Sequence, residues 1–477
     1  MIKDSKNTPT HLIAASIALV VGLFFSYQPT FFLGKSSGAN LEISITQISV
    51  ALFILVSLFV TYKFRKNFPR NKGLMIILGL ATLNSVSLLW TDNPTRGIVL
   101  TLLLWAIVAL WFTLLARYAD IQKNSALLIK IGFITTLGIV AFACFQIFAD
   151  ALNVSPSITL LPETYRSQVF GFARPTSFAL EPQFLGSLLL LPALYAAYLE
   201  VIRKSSLLSR VVLISAVTVL FPTISRGAYI GFGAALLILF AVHVRNNSRS
   251  LLKMLLLVLV GFTLSLGIIG TSAQLNARDD TSGLQAIAKT VNHLSLDLID
   301  IKISSPQPTI PASNNAVPET DNVPLQIGQT PSIDSGYVAE STNSRLLMTR
   351  EALSLWLTNP LTTLFGIGVG SFGATLHSKD PVHSISSIVN NRYVEVLVET
   401  GILGLTLFLL VLGLLLYLSV KYRLWLVTIV LVAYYLQWLF FSGSVNVLHV
   451  WTFMGLSYAY LFARTSSKKR LAMYDKS

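Results

Sequence analysis

The sequence predicts an all-α polytopic membrane protein of about twelve transmembrane helices, with one large extracytoplasmic loop carrying interfacial helices. Three observations predict it. Only 12% of the 477 residues are charged, about half the share of a soluble domain, while 53% are hydrophobic. Apolar runs long enough to cross about 30 Å of hydrocarbon recur along the chain. Basic residues gather in alternate connections, as the positive-inside rule requires. The same composition excludes a disordered, collagenous or nucleic-acid-binding chain. The single cysteine, Cys144, lies inside an apolar run and excludes a disulfide framework or a cysteine-based metal site.

Taken in order, the runs fall near 12–33, 41–62, 74–90, 97–116, 126–149, 181–201, 211–224, 227–243, 252–270, 401–420, 424–441 and 447–463. The first follows Lys3 and Lys6 and continues through Phe24, Phe25 and Tyr27 without a small-residue cleavage site, so it reads as an uncleaved anchor. Between 211 and 243, Pro222 and Thr223-Ile224-Ser225-Arg226-Gly227 interrupt the apolar stretch. A charge at mid-bilayer is costly, so two short spans meeting at Arg226 are preferred over one kinked helix. Residues 1–270 thus form a bundle of nine spans and 401–463 add three more, followed by a basic tail at 464–477. The clusters Lys63, Arg65, Lys66, Arg70, Lys72 and Lys468, Lys469, Arg470 resist translocation, which puts both termini in the cytoplasm.

Two long connections then fall on the outer face. The first, about 150–180, holds Arg166 and Arg174 and leads into Glu181. The second, 271–400, is too long for a mere connector. Its middle, 303–345, contains Pro306, Pro308, Pro311, Pro318, Pro324 and Pro331 among Ser, Thr and Asn, the composition of a flexible tether. Helical periodicity returns over 345–358 and ends at Asn359-Pro360, since the residue before proline disfavours the α region. A glycine-spaced turn, Gly366-Ile367-Gly368-Val369-Gly370, precedes a second interfacial helix at 389–400 that feeds the span beginning at Gly401. No internal repeat of the spans is visible, which counts against transporters built from duplicated halves.

Few residues in this chain can carry chemistry. Arg226 stands where two short spans meet, beside a glycine that permits close approach. A guanidinium there either snorkels to headgroups or grips a phosphate with two parallel hydrogen bonds. Arg174 and Glu181 lie seven residues apart, bracketed by Pro175 and Pro182; they form a structural ion pair or hold separate roles. A desolvated carboxylate at Glu181 is a candidate general base. His377 and His383 lie six residues apart in the outer loop, a spacing that makes no metal site, and solvated loop histidines are the default. His449 opens the last span. The pair Asp279-Asp280 carries little weight as a metal site, and nothing matches a nucleotide-binding loop.

At these residues the chain resembles the O-antigen ligase and O-antigen polymerase superfamily of bacterial envelope enzymes. The likeness rests on Arg174 ahead of a span, Ser225-Arg226-Gly227 between spans, Trp356 with Asn359-Pro360 and Gly366-Ile367-Gly368, and the run from Asn391-Arg392-Tyr393 to Glu399-Thr400-Gly401. It covers roughly 80–460, and the order and sidedness of the motifs are more specific than any one of them. The resemblance implies metal-independent glycosyl transfer, without a cofactor, at the outer face of the bacterial inner (plasma) membrane. The donor would be an undecaprenyl-diphosphate-linked glycan and the acceptor a lipid-anchored sugar or another lipid-linked glycan. By similarity, Arg174 and Arg226 would bind the diphosphate. The ligase pattern has a histidine where this chain has Asn390, so the base passes to Glu181 or His383. Glu181-Pro182 leans the chain towards a polymerase. A flippase or other polysaccharide transporter is the alternative, although transporters place their charged site near the midplane, whereas here charge gathers at the outer interface.

Overall fold

A computed structural model describes residues 9–25, 30–36, 39–63, 72–166, 170–276, 281–294, 337–381, 383–384, 387–441 and 447–474. Of these described residues 82% are helical, which agrees with the all-α class. The elements are α1 (Thr10–Phe24), strands β1 (Thr30–Ser36) and β2 (Ala39–Ser44), α2 (Ile45–Lys63), α3 (Lys72–Ser87), α4 (Pro94–Lys123), α5 (Ser125–Ala151) and the single turn α6 (Pro156–Thr159). They continue with α7 (Pro182–Val201), α8 (Leu207–Leu220), α9 (Arg226–Leu275), α10 (Gly283–Leu294), α11 (Tyr337–Trp356), α12 (Pro360–Phe365) and α13 (Phe372–Lys379). The last three helices are α14 (Arg392–Lys421), α15 (Trp425–Gln437) and α16 (Leu448–Tyr474).

Seven helices among the described residues, α2, α3 (as Gly73–Trp90), α4, α5, α7, α9 and α14, are long and apolar enough to cross a membrane. Three apolar helices, α1, α8 with its following turn, and α15, are shorter than that. Two expected spans, 227–243 and 252–270, share the 50-residue α9, which departs from helical geometry at Asn247. The expected first span also differs from what forms. Its helix ends at Phe24, and Phe31, Phe32 and Leu33, read as its continuation, belong to a strand that pairs antiparallel with 39–44. Aromatic residues fit a pleated strand as well as they fit a span, so a short apolar run alone does not separate the two. The expected tether at 303–345 lies mostly outside the described residues, whereas α11 already begins at Tyr337.

The core sits around α7, which is 78% buried within its apolar window and packs on α8, α9 and α15. Beside it Trp111 of α4, Phe408 of α14, Trp438 just after α15, and Trp451 of α16 form an aromatic cluster, with Trp438 and Trp451 ring centroids 5.9 Å apart. The Trp111 indole donates to the carbonyl of Trp451 at 2.9 Å, so its buried N–H is satisfied.

On α14, the helix breaks at Gly401, whose φ of +67° is left-handed. A break strands carbonyls of the preceding turn. The glycine turn supplies them with donors: Ile367 N–H reaches the carbonyl of Val398 at 2.9 Å and Gly368 N–H that of Glu399 at 3.1 Å. Only glycine permits the approach, because a Cβ on Gly366 would stand 2.3 Å from the Glu399 carbonyl carbon and one on Gly401 2.2 Å from the Leu364 oxygen. The turn is sewn on its other side to the start of α4, where the Thr91 hydroxyl donates to Val369 O at 2.8 Å and Asp92 N–H to Ser371 Oγ at 2.9 Å.

Candidate functional site

Arg226 is the first residue of α9, and the local sequence explains why a helix starts there. Pro222 ends α8 in a single tight turn over Phe221–Thr223, and Ile224 then takes a left-handed φ of +52° that reverses the chain. Arg226 emerges half-buried where the free N–H groups of a new helix point outwards, an arrangement that favours anions. Gly227 lets α9 sit against the C-terminal end of α15, since a Cβ there would be 2.9 Å from the Gln437 carbonyl.

The structure brings Arg174 to this loop. Its Nε and Nη2 both donate to the carbonyl of Thr223, at 3.3 and 3.1 Å, three residues ahead of Arg226. The guanidinium also lies over the Tyr165 ring, 5.7 Å from its centroid. The segment that presents Arg174 is held from α5 by the buried Gln146. Its carbonyl oxygen accepts the N–H groups of Thr176 and Ser177 at 3.0 and 2.6 Å, and its amide donates to Thr159 O at 2.8 Å. Phe178 stacks on Phe142 at 4.6 Å, and Arg166 pairs with Asp150 at 2.5 Å. Burial opposes the Arg166 charge, but Asp150 and Glu163 outweigh it and raise its pKa.

Glu181 holds the position just before α7, with Pro182 first in the helix, and makes no capping bond; its half-buried carboxylate instead accepts a hydrogen bond from the Gln183 side-chain amide. Arg174 and Glu181 therefore take different partners. Gln183 in turn ties Glu181 to the arginine loop, because its carbonyl accepts the Gln437 amide at 3.4 Å and Gln437 faces Gly227. Just beyond α15, the carbonyl of Phe440 accepts Arg345 Nη1 at 3.4 Å and that of Trp438 accepts the Arg392 N–H at 2.9 Å. The end of α15 is thus where α7, α9, α11 and α14 meet.

His383 stands elsewhere, in the loop after α13. Its Nε2 is 3.8 Å from Asp380 Oδ2, and its carbonyl meets His377 Nδ1 at 2.6 Å. Asn391 caps α14 through Tyr393 and Val394 N–H at 3.0 and 3.2 Å. One turn on, Arg392 pairs with Glu395 at 3.0 Å, and both are nearly buried. Glu399 is buried as well, with Oε1 lacking a hydrogen-bond partner, as does Arg392 Nε. Among the described residues no cluster of His, Cys, Asp or Glu is arranged to hold a metal.

Sequence reasoning did not single out Gln146, Gln183, Gln437, Arg345, Arg392 or the two glutamates of α14 as site residues. A signal existed for two of them: Gln146 and Gln437 interrupt otherwise apolar runs, and an amide in a span needs partners. His449 is also placed near the loop. It shares a 3.0 Å hydrogen bond with Ser187, and the adjacent Gly186 lies against Ser225, 3.1 Å from the position of an added Cβ.

No curated protein matches the chain. A family model described as O-antigen ligase matches residues 211–409, from α8 through the first turns after the α14 break. The match takes in Arg226, the glycine turn, His383 and the Arg392–Glu399 segment, while Arg174 and Glu181 precede it. With this match added to the apolar helices, the chain is a membrane protein of polysaccharide biosynthesis whose residues 211–409 form a domain of the O-antigen ligase family.

Proposed function

We propose that the protein moves a glycan from an undecaprenyl-diphosphate donor to a sugar acceptor at the extracytoplasmic face of the bacterial inner membrane, as a ligase or polymerase of cell-surface polysaccharide. The observation that carries this reading is the bond of the Arg174 guanidinium to Thr223, which sets two arginines on one loop at a helix start. In the reaction the acceptor hydroxyl oxygen bonds to the anomeric carbon, the bond from that carbon to the diphosphate oxygen breaks, and undecaprenyl diphosphate leaves. Negative charge grows on the leaving oxygen. In this reading the Arg174 and Arg226 guanidiniums and the α9 N-terminus neutralise it, and no step is assigned to a metal. The acceptor proton passes to a base, for which we favour Glu181: it is linked to the arginine loop through Gln183 and Gln437, whereas the contacts of His383 run to Asp380 and His377.

The reading rests on twelve crossings with both termini in the cytoplasm, which puts the α8–α9 loop outside. Its test is release of undecaprenyl diphosphate from a lipid-linked oligosaccharide by purified protein in liposomes, with a chelator present. Release with a product ladder identifies a polymerase and a single transfer a ligase. No release across a range of donors and acceptors would refute the reading and favour transport.

A further inference from the structure

The connection between α5 and α7 carries side chains with no part in the diphosphate chemistry. Glu163–Tyr165 form a single tight turn, and the carbonyl of Tyr165 accepts the backbone N–H of Arg174 at 2.9 Å. That bond sets the two residues side by side, with the Arg174 guanidinium over the Tyr165 ring. Tyr165 is only half-buried, so part of it stays open. Beside it stand Glu163 and Arg166. The Arg166 Nε donates to the buried Asp150, and its Nη1 lies 3.2 and 3.4 Å from the two carboxylate oxygens of Glu163. Glu163 is 67% exposed, so its oxygens keep lone pairs open to other donors.

An aromatic ring next to a fixed carboxylate–guanidinium pair suits a sugar. A pyranose presents a face of C–H groups, whose positive hydrogens meet the negative face of an aromatic ring. Its rim of hydroxyls both donates and accepts, and Glu163 and Arg166 offer acceptors and donors to match. Exposed ion pairs add little stability, so anchoring Arg166 on a buried carboxylate points to a task of holding Glu163 in place. Position selects which sugar. Tyr165 touches Arg174, and the donor's first sugar is joined through its anomeric carbon to the diphosphate assigned to Arg174. We infer that Tyr165, Glu163 and Arg166 form the subsite for the sugar bonded to the diphosphate; the inference rests on the glycosyl-transfer reading for the identity of the donor. Gripping that ring fixes the direction in which the anomeric carbon faces the acceptor.

The test compares two lipids titrated against the full chain in liposomes without acceptor. One is undecaprenyl diphosphate bearing a single hexose; the other carries a methyl group in place of the hexose, which keeps the charge. The native protein is expected to prefer the sugar-bearing lipid by at least about tenfold, the scale of one aromatic contact joined by hydrogen bonds. Tyr165→Leu should lower that preference about fivefold, while Tyr165→Phe, which keeps the ring, should preserve it and control for folding. Glu163→Ala should lower it about threefold. A Tyr165 that only props Arg174 would, as Tyr165→Leu, weaken both lipids alike. That outcome, or equal binding of the two lipids by the native protein, would overturn the inference. A loss confined to the KM of the acceptor would also overturn it, because the subsite would then hold the acceptor sugar. Binding needs no turnover. Sugar-dependent affinity without product would sink the glycosyl-transfer reading alone, and product from a protein indifferent to the sugar would sink the subsite alone.

Discussion

Removing the carboxylate charge at Glu395 should destabilise the protein by about 3–5 kcal/mol, because it strands the Arg392 guanidinium inside the fold. The two groups are 3.0 Å apart, with side chains 10% and 6% exposed. At that separation and an effective dielectric near 20, the gross attraction is about 5 kcal/mol. Arg392 already has one unsatisfied N–H, at Nε, so it has little spare bonding to fall back on. The perturbation is Glu395→Gln, which keeps shape and removes charge. Glu399 lines the same small cavity as Arg392 and is a second carboxylate that could take over the pairing, so Glu395→Gln/Glu399→Gln is measured alongside. Denaturant unfolding in micelles, followed by tryptophan fluorescence, is the assay; Trp438 accepts the Arg392 backbone N–H and reports locally. Replacing the pair together, as Arg392→Leu/Glu395→Leu, should recover most of the loss, since the two opposite charges of the pair leave together. Losses under about 1 kcal/mol for both Gln variants would refute the account of this cluster as a buried ion pair, because that is the scale of a solvated one.

Other outcomes follow from the same geometry. Gly366→Ala places a Cβ 2.3 Å from Glu399 backbone at a φ of +79°, and should lower unfolding free energy by about 2–4 kcal/mol in the same titration. Arg174→Ala should lower the rate of undecaprenyl diphosphate release by about 10²–10³-fold, the usual effect of deleting one charge-stabilising donor, with unfolding behaviour kept. Glu181→Gln should reduce that rate by at least about 10²-fold if Glu181 accepts the proton; near-normal turnover, with loss in His383→Gln instead, would move the base to His383.

How much of this was legible in the sequence depends on whether a feature is local or long-range. Helix positions followed from apolar runs, and the break before Arg226 from Pro222 and its neighbours, because proline acts on its own backbone. The hairpin at 30–44 was missed because Phe31-Phe32-Leu33 is too short to show a period. The likeness to O-antigen ligases was visible in Ser225-Arg226-Gly227 and the run around Gly401. What holds those motifs together was not visible. Gln146 reaches thirty residues along the chain to Thr176, and Gln437 reaches Gln183 across 254 residues; no spacing rule encodes contacts made by packing helices. The same holds for the bond of Arg174 to Thr223, which turned two separate candidates into one cluster.

The most direct measurement is release of undecaprenyl diphosphate by the native protein and by Arg226→Ala, reconstituted side by side in liposomes at matched insertion. The account expects release from the native protein and loss of it in Arg226→Ala, with unfolding unchanged. Full release from Arg226→Ala would contradict the assignment of the leaving diphosphate to the arginine loop.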